Sequence, residues 1–65
     1  MEILINQKTH TLDQGASLED ALTLFGAAPP FAVALNGVFV HRGDYAKRRL
    51  APGDRLEVVQ PVAGG

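Results

Sequence analysis

Two glycines, Gly64 and Gly65, stand at the end of this 65-residue sequence, directly after Pro61-Val62-Ala63. Glycine has no Cβ, so a Gly-Gly end takes backbone conformations closed to other residues and fits a narrow channel. Both properties suit a carboxylate that is presented deep inside a partner enzyme. Each such binding event costs the tail conformational entropy. The carboxylate is a poor electrophile and becomes reactive when condensed with a nucleotide as an acyl-adenylate. The chain has no glycine-rich phosphate loop followed by Lys and Ser or Thr. The chemistry therefore assigns ATP and magnesium to a partner and makes this chain the substrate, with no cofactor of its own. A sulfur donor that displaces AMP would leave a thiocarboxylate on Gly65, and its sulfur is a good nucleophile. Gly65 is the candidate modified residue and Gly64 part of the tail it needs. A frayed chain end accounts for the same two glycines, and on these residues alone that plainer explanation is favoured.

The other reactive side chains are sparse. There is no cysteine, which removes disulfides, thiolate zinc sites and cysteine nucleophiles from consideration. His10 and His41 are the two histidines, and with no paired spacing they read as strand surface positions, not metal ligands. Glu19 and Asp20 read as charges at a helix start; a catalytic carboxylate pair needs burial and opposed environments. Arg42-Gly43-Asp44 reads as a turn. Six basic against seven acidic residues leave a net charge of -1, no footprint for nucleic acid or for an anionic membrane. The one basic cluster, Lys47-Arg48-Arg49, is either a solvated face or an aid in steering toward an acidic partner. No segment has the make-up of a signal peptide or reaches transmembrane length, so a cytoplasmic location is expected.

These groups must be positioned by a small domain, since a chain this short buries only about 60% of its unfolded surface. Met1–Asn6 and Lys8–Leu12 read as a β-hairpin turning at Asn6-Gln7. Ser17 is a suitable helix N-cap, Glu19 and Asp20 suit the positive end of the helix dipole, and Leu18, Ala21, Leu22 and Phe25 share one helical face. Gly26 offers a C-cap and Pro29-Pro30 stops the helix. Phe31–Leu35 and Val38–His41 flank Asn36-Gly37, the strongest short hairpin signal. Pro52-Gly53-Asp54 turns the chain into a last strand, Arg55–Val59. The order β-β-α-β-β-β predicts an α+β domain over residues 1–60: a ubiquitin-like β-grasp, with a five-stranded mixed sheet crossed by one main helix. Residues 61–65 form a flexible tail in this scheme. The expected core is Ile3, Ile5, Leu18, Leu22, Phe25, Val33, Leu35, Leu50, Leu56 and Val58. The opposite sheet face is left with Ala32, Ala34, Phe39 and Val59, which together with Val62 form a candidate partner-binding surface.

The ordered set Phe31-Ala32-Val33-Ala34-Leu35-Asn36-Gly37, Phe39-Val40, Arg42, Tyr45, Leu50, Gly53-Asp54, Leu56-Glu57-Val58-Val59, Pro61-Val62 and Gly64-Gly65 resembles the ThiS family of sulfur carriers. Met1-Glu2-Ile3 through Asn6 and Ser17-Leu18 fit as well, so the likeness spans nearly the whole chain. It implies a β-grasp fold and a tail adenylated by a ThiF-type enzyme and converted to a thiocarboxylate with the help of a sulfur donor protein. It further implies delivery of the sulfur to a ThiG-type thiazole synthase, which makes the thiazole half of thiamine. Only Gly65 carries over as the reacting residue, with Gly64 beside it. His41 stands where many members have Pro, and Gln7 where many have Gly. The ending is also similar to MoaD, the small subunit of molybdopterin synthase, which uses the same thiocarboxylate for another product. The resemblance implies a monomeric carrier that is not an enzyme. A ubiquitin-like protein modifier shares the same chemistry as far as the adenylate, and a plain binding module with an incidental tail is the third class.

Overall fold

The computed structural model describes residues 1–61. In it, both Asn-led turns close two-residue hairpins. β1 (Glu2–Ile5) pairs antiparallel with β2 (Lys8–Thr11), Ile5 lying opposite Lys8. Asn6 and Gln7 take left-handed backbone, φ 50° and 69°, as a type I′ turn requires. At Gln7 a Cβ occupies a position that favours glycine, a strain of about 1–2 kcal/mol. β3 (Ala32–Leu35) and β4 (Val38–Val40) pair in the same way across Asn36-Gly37, whose φ values are 50° and 85°.

The helix α1 (Leu18–Phe25) begins and ends as its sequence dictates. The Ser17 hydroxyl accepts from the Asp20 N–H at 3.1 Å, and the Asp20 carboxylate accepts from the Ser17 N–H at 3.0 Å, a reciprocal capping box. Gly26, at φ 83°, closes the other end. Its N–H reaches the Leu22 and Thr23 carbonyls, and the Ala27 N–H also reaches Leu22, the Schellman arrangement. A segment far along the chain completes the helix start. The Leu18 N–H donates to the Arg48 carbonyl at 2.8 Å, the Glu19 N–H donates to the Tyr45 carbonyl at 3.0 Å, and the Leu50 N–H returns to Ala16 at 2.9 Å. The Leu18 and Glu19 N–H groups, which have no partner inside the helix, are thus satisfied by the segment that follows β4.

β5 (Arg55–Val59) takes the centre of the sheet, whose order is β2-β1-β5-β3-β4. It runs parallel to β1 and antiparallel to β3. Ile3, Ile5, Val33, Leu35, Leu56 and Val58 point to one face and bury with Leu18, Ala21 and Leu22 of α1 in one cluster. The architecture is the expected five-stranded β-grasp. Asn6 ties the first hairpin to the centre. Its backbone N–H donates to the Leu56 carbonyl at 2.9 Å, and its side-chain amide accepts from the Val58 N–H at 2.8 Å and donates to the Val58 carbonyl at 3.2 Å. The side chain stands in for the next peptide group of the β1–β5 ladder. Asn36 does similar work at the second hairpin, accepting from the Arg55 N–H at 2.9 Å.

Two details differ from the sequence expectation, and the turn expected at Arg42-Gly43-Asp44 is present. Phe25 is half-buried at the rim of the core, edge-on to His10 at a centroid distance of 6.4 Å. Ala16, Ala21, Val40 and Tyr45 join the core; Tyr45 lies parallel to the half-buried Phe31 ring, centroids 6.0 Å apart. Arg42-Gly43-Asp44 is a single 3₁₀ turn, which tightens the path by which Tyr45 enters the core.

Candidate functional site

The tail residues Val62, Gly64 and Gly65 lie outside the described residues, so the site's geometry is that of the body from which they leave. β5 ends at Val59, which pairs with Ala32 at the start of β3. Gln60 and Pro61 follow, both exposed. The chain therefore exits from the end of the central strand, beside the connection between α1 and β3. The Gln60 side-chain amide donates to the Ala28 carbonyl in that connection at 3.0 Å.

The register brings the other predicted site residues together on the face that α1 leaves open. Ala34 sits between Phe39 and Glu57, and Ala32 beside Val59. Phe39 is 58% and Val59 64% exposed, so both rings and branches stand in solvent; Ala32 is exposed and Ala34 half-buried. Period-2 alternation produces this grouping, because partners directly opposite in a ladder share a face. His41 extends the patch: its ring meets Phe39 edge-on, centroids 5.0 Å apart at 87°. Its place two residues after Phe39 was the available signal. Glu57 puts one carboxylate within the apolar group. Val38, 65% exposed, pairs with the core residue Leu35 and so belongs to the opposite face, beyond the reach of α1.

At the far end of β5 the same face holds a depression of about 470 Å³ lined by Leu4, Asn6, Gln7, Asn36, Arg55 and Glu57, among others. The Asn6 and Asn36 amides that border it are already engaged by β5 and by Asp54. Among the described residues no three His, Asp or Glu side chains gather as a metal site. His10 and His41 pack against Phe25 and Phe39 respectively. Of the basic cluster, Arg49 is committed to the fold, its guanidinium donating to the Gly15 carbonyl at 3.0 Å. Lys47 and Arg48 are exposed. Asp20 has its carboxyl held below the ordinary value of 3.8, chiefly by the Ser17 backbone and side-chain hydrogen bonds and to a lesser degree by the charge of Arg49; desolvation opposes the shift. This carboxylate is a cap, not a catalytic group. No helix among the described residues is long and apolar enough to cross a membrane.

A family model described as the ThiS family matches residues 1–65. Two solved structures from Geobacter metallireducens share the fold. The crystal structure of thiamine biosynthesis protein (ThiS) superposes with a TM-score of 0.80 at 25% identity, covering 100% of both chains. The NMR solution structure of a thiamine biosynthesis protein gives a TM-score of 0.81 at 25% identity, covering 100% of this chain and 88% of that one. No curated protein matches the sequence.

Proposed function

This chain belongs to the ThiS family, and on that premise we propose that it is a cytoplasmic sulfur carrier of thiamine biosynthesis, a protein substrate and not a catalyst. The family match across residues 1–65 is the observation that carries this reading. In the proposed cycle a Gly65 carboxylate oxygen attacks the α-phosphorus of ATP, held with magnesium by a ThiF-type enzyme, and pyrophosphate leaves. Sulfide-level sulfur from a donor protein then attacks the acyl carbon, AMP departs, and a thiocarboxylate remains. A ThiG-type thiazole synthase takes that sulfur into the thiazole, and the carboxylate returns for another cycle. Gly64 and Gly65 supply the slender end that reaches the partner's active site.

The open-face residues Ala32, Ala34, Phe39 and Val59, continued by Val62, are proposed as the docking surface. What supports this is adjacency: Val59 belongs both to the apolar patch and to the last ladder pair before the tail. A partner that grips this face also holds the root of the tail, which lowers the entropy cost of threading it.

The test is intact mass after incubation with ATP, magnesium, a sulfur source and a ThiF-type enzyme, beside a variant lacking Gly65. The expected result is a gain matching one oxygen replaced by sulfur, absent in the variant. No gain with an enzyme of demonstrated activity would overturn the reading.

A further inference from the structure

The β3–β5 ladder ends for a reason that the sequence supplies. Pairing runs Leu35 with Leu56, Ala34 with Glu57, Val33 with Val58 and Ala32 with Val59. The Asn36 N–H donates to the Arg55 carbonyl at 2.7 Å, which sets the parity: every second pair exchanges hydrogen bonds. Counting on from Asn36 with Arg55, the bonded pairs are Ala34 with Glu57, then Ala32 with Val59, where the ladder stops; its next bonded position would match Pro30 with Pro61. Proline has no N–H. At that last position neither strand can donate, and the backbone ladder cannot be continued toward the tail.

One step before this double-proline position the side chain of Gln60 takes over. Its amide reaches the Ala28 carbonyl at 3.0 Å, outside the sheet and immediately before Pro29. A proline lies two residues beyond each strand at this end of the ladder, and one side-chain bond pins the residue at which the main chain is released. We propose that Gln60 is a positioning residue: its bond to Ala28, just past the last ladder pair, Ala32 with Val59, fixes the place and direction in which the tail leaves the domain. The enzymatic consequence rests on the sulfur-carrier reading above; the structural consequence does not.

The experiment replaces Gln60 by Met, which keeps length and neutrality and removes the donor. With the ThiF-type enzyme, Gln60→Met is expected to raise the KM for the carrier about fivefold, the worth of one ordinary hydrogen bond, with kcat unchanged. A readout on the free protein accompanies it: ¹⁵N relaxation along Glu57, Val58, Gln60 and residues 62–65. The latch predicts larger-amplitude motion from Gln60 onward in the variant and none added at Glu57 and Val58. Adding Pro61→Ala to Gln60→Met restores a backbone N–H at the next bonded position of the register and is expected to reverse both effects. Unchanged KM and unchanged relaxation in Gln60→Met overturn the proposal, as does a loss confined to kcat. If the parent chain is not adenylated at all, the sulfur-carrier reading fails, and the relaxation data alone then sustain or overturn the latch.

Discussion

Asn6→Ala is the substitution that most directly tests how this small domain is held together. Asn6 makes two side-chain hydrogen bonds to the Val58 backbone, each worth about 0.5–1.5 kcal/mol net. It also sits at φ 50°, where an alanine Cβ costs about 1–2 kcal/mol. The bonds sum to about 1–3 kcal/mol, and because asparagine already carries a Cβ at this φ only part of the backbone cost adds to the loss, against a total stability of about 3–10 kcal/mol for a domain of this length. Urea unfolding of the parent, Asn6→Ala, Asn6→Gly and Asn6→Asp separates the contributions. Glycine loses both bonds but accepts the backbone, so alanine should be about 1 kcal/mol worse than glycine. Aspartate keeps the acceptor for the Val58 N–H and tolerates the turn, so it should be the mildest of the three. The reasoning fails if alanine is no worse than glycine, or if all three variants lie within about 0.5 kcal/mol of the parent, the spread of ordinary surface substitutions.

Two further outcomes follow from the caps and the open face. The folded pKa of Asp20 lies below its ordinary value of 3.8, so its contribution to stability is present above that value and is lost as pH falls through the folded pKa. Asp20→Asn should therefore destabilise the protein at neutral pH and flatten the acid side of a stability–pH curve measured below about pH 4; an unchanged slope would contradict the cap's role. Phe39→Asp places a charge in the exposed apolar patch without touching the core. It should leave Tm within about 2–3 °C of the parent and raise the KM with the ThiF-type enzyme at least about tenfold, a loss typical of an interface anchor. Equal KM values would remove this face from the docking surface.

The parts of the fold written in short-range chemistry were legible. Asn36-Gly37 announces its hairpin because few residue pairs take positive φ twice, and Ser17 with Asp20 announces a helix start through bonds spanning three residues. What a local pattern does not carry is the partner at long range. That β1 lies parallel to β5 depends on where the chain returns, and Asn6 looks like a plain turn residue until Val58 is found beside it. Tyr45 has no periodic neighbours to mark it as core; a 3₁₀ turn and the first-turn N–H of Glu19, which donates to the Tyr45 carbonyl, draw it inward. Phe25, on the helical face but in its last turn, overhangs the sheet and stays at the rim. On the site, alternation alone grouped Ala32, Ala34, Phe39 and Val59. His41 falls on the same alternation, two residues after Phe39, but reads there as a plain surface position; Gln60 escapes the pattern, since its role depends on a carbonyl across the fold.

The sheet order also has a consequence for how the protein is made. Two of its three inner strands, the neighbours β1 and β5, are the first and the last among the described residues. Until β5 has been synthesised, β1 has only β2 beside it, the β3–β4 hairpin is a separate piece, and a lone hairpin is marginal in water. The centre therefore cannot close before Val59 has been added, and the long loop that closure spans makes the step slow relative to hairpin formation. Folding and completion of the root of the tail become one event: by the time the sheet is whole, the residue from which the tail departs has already been added.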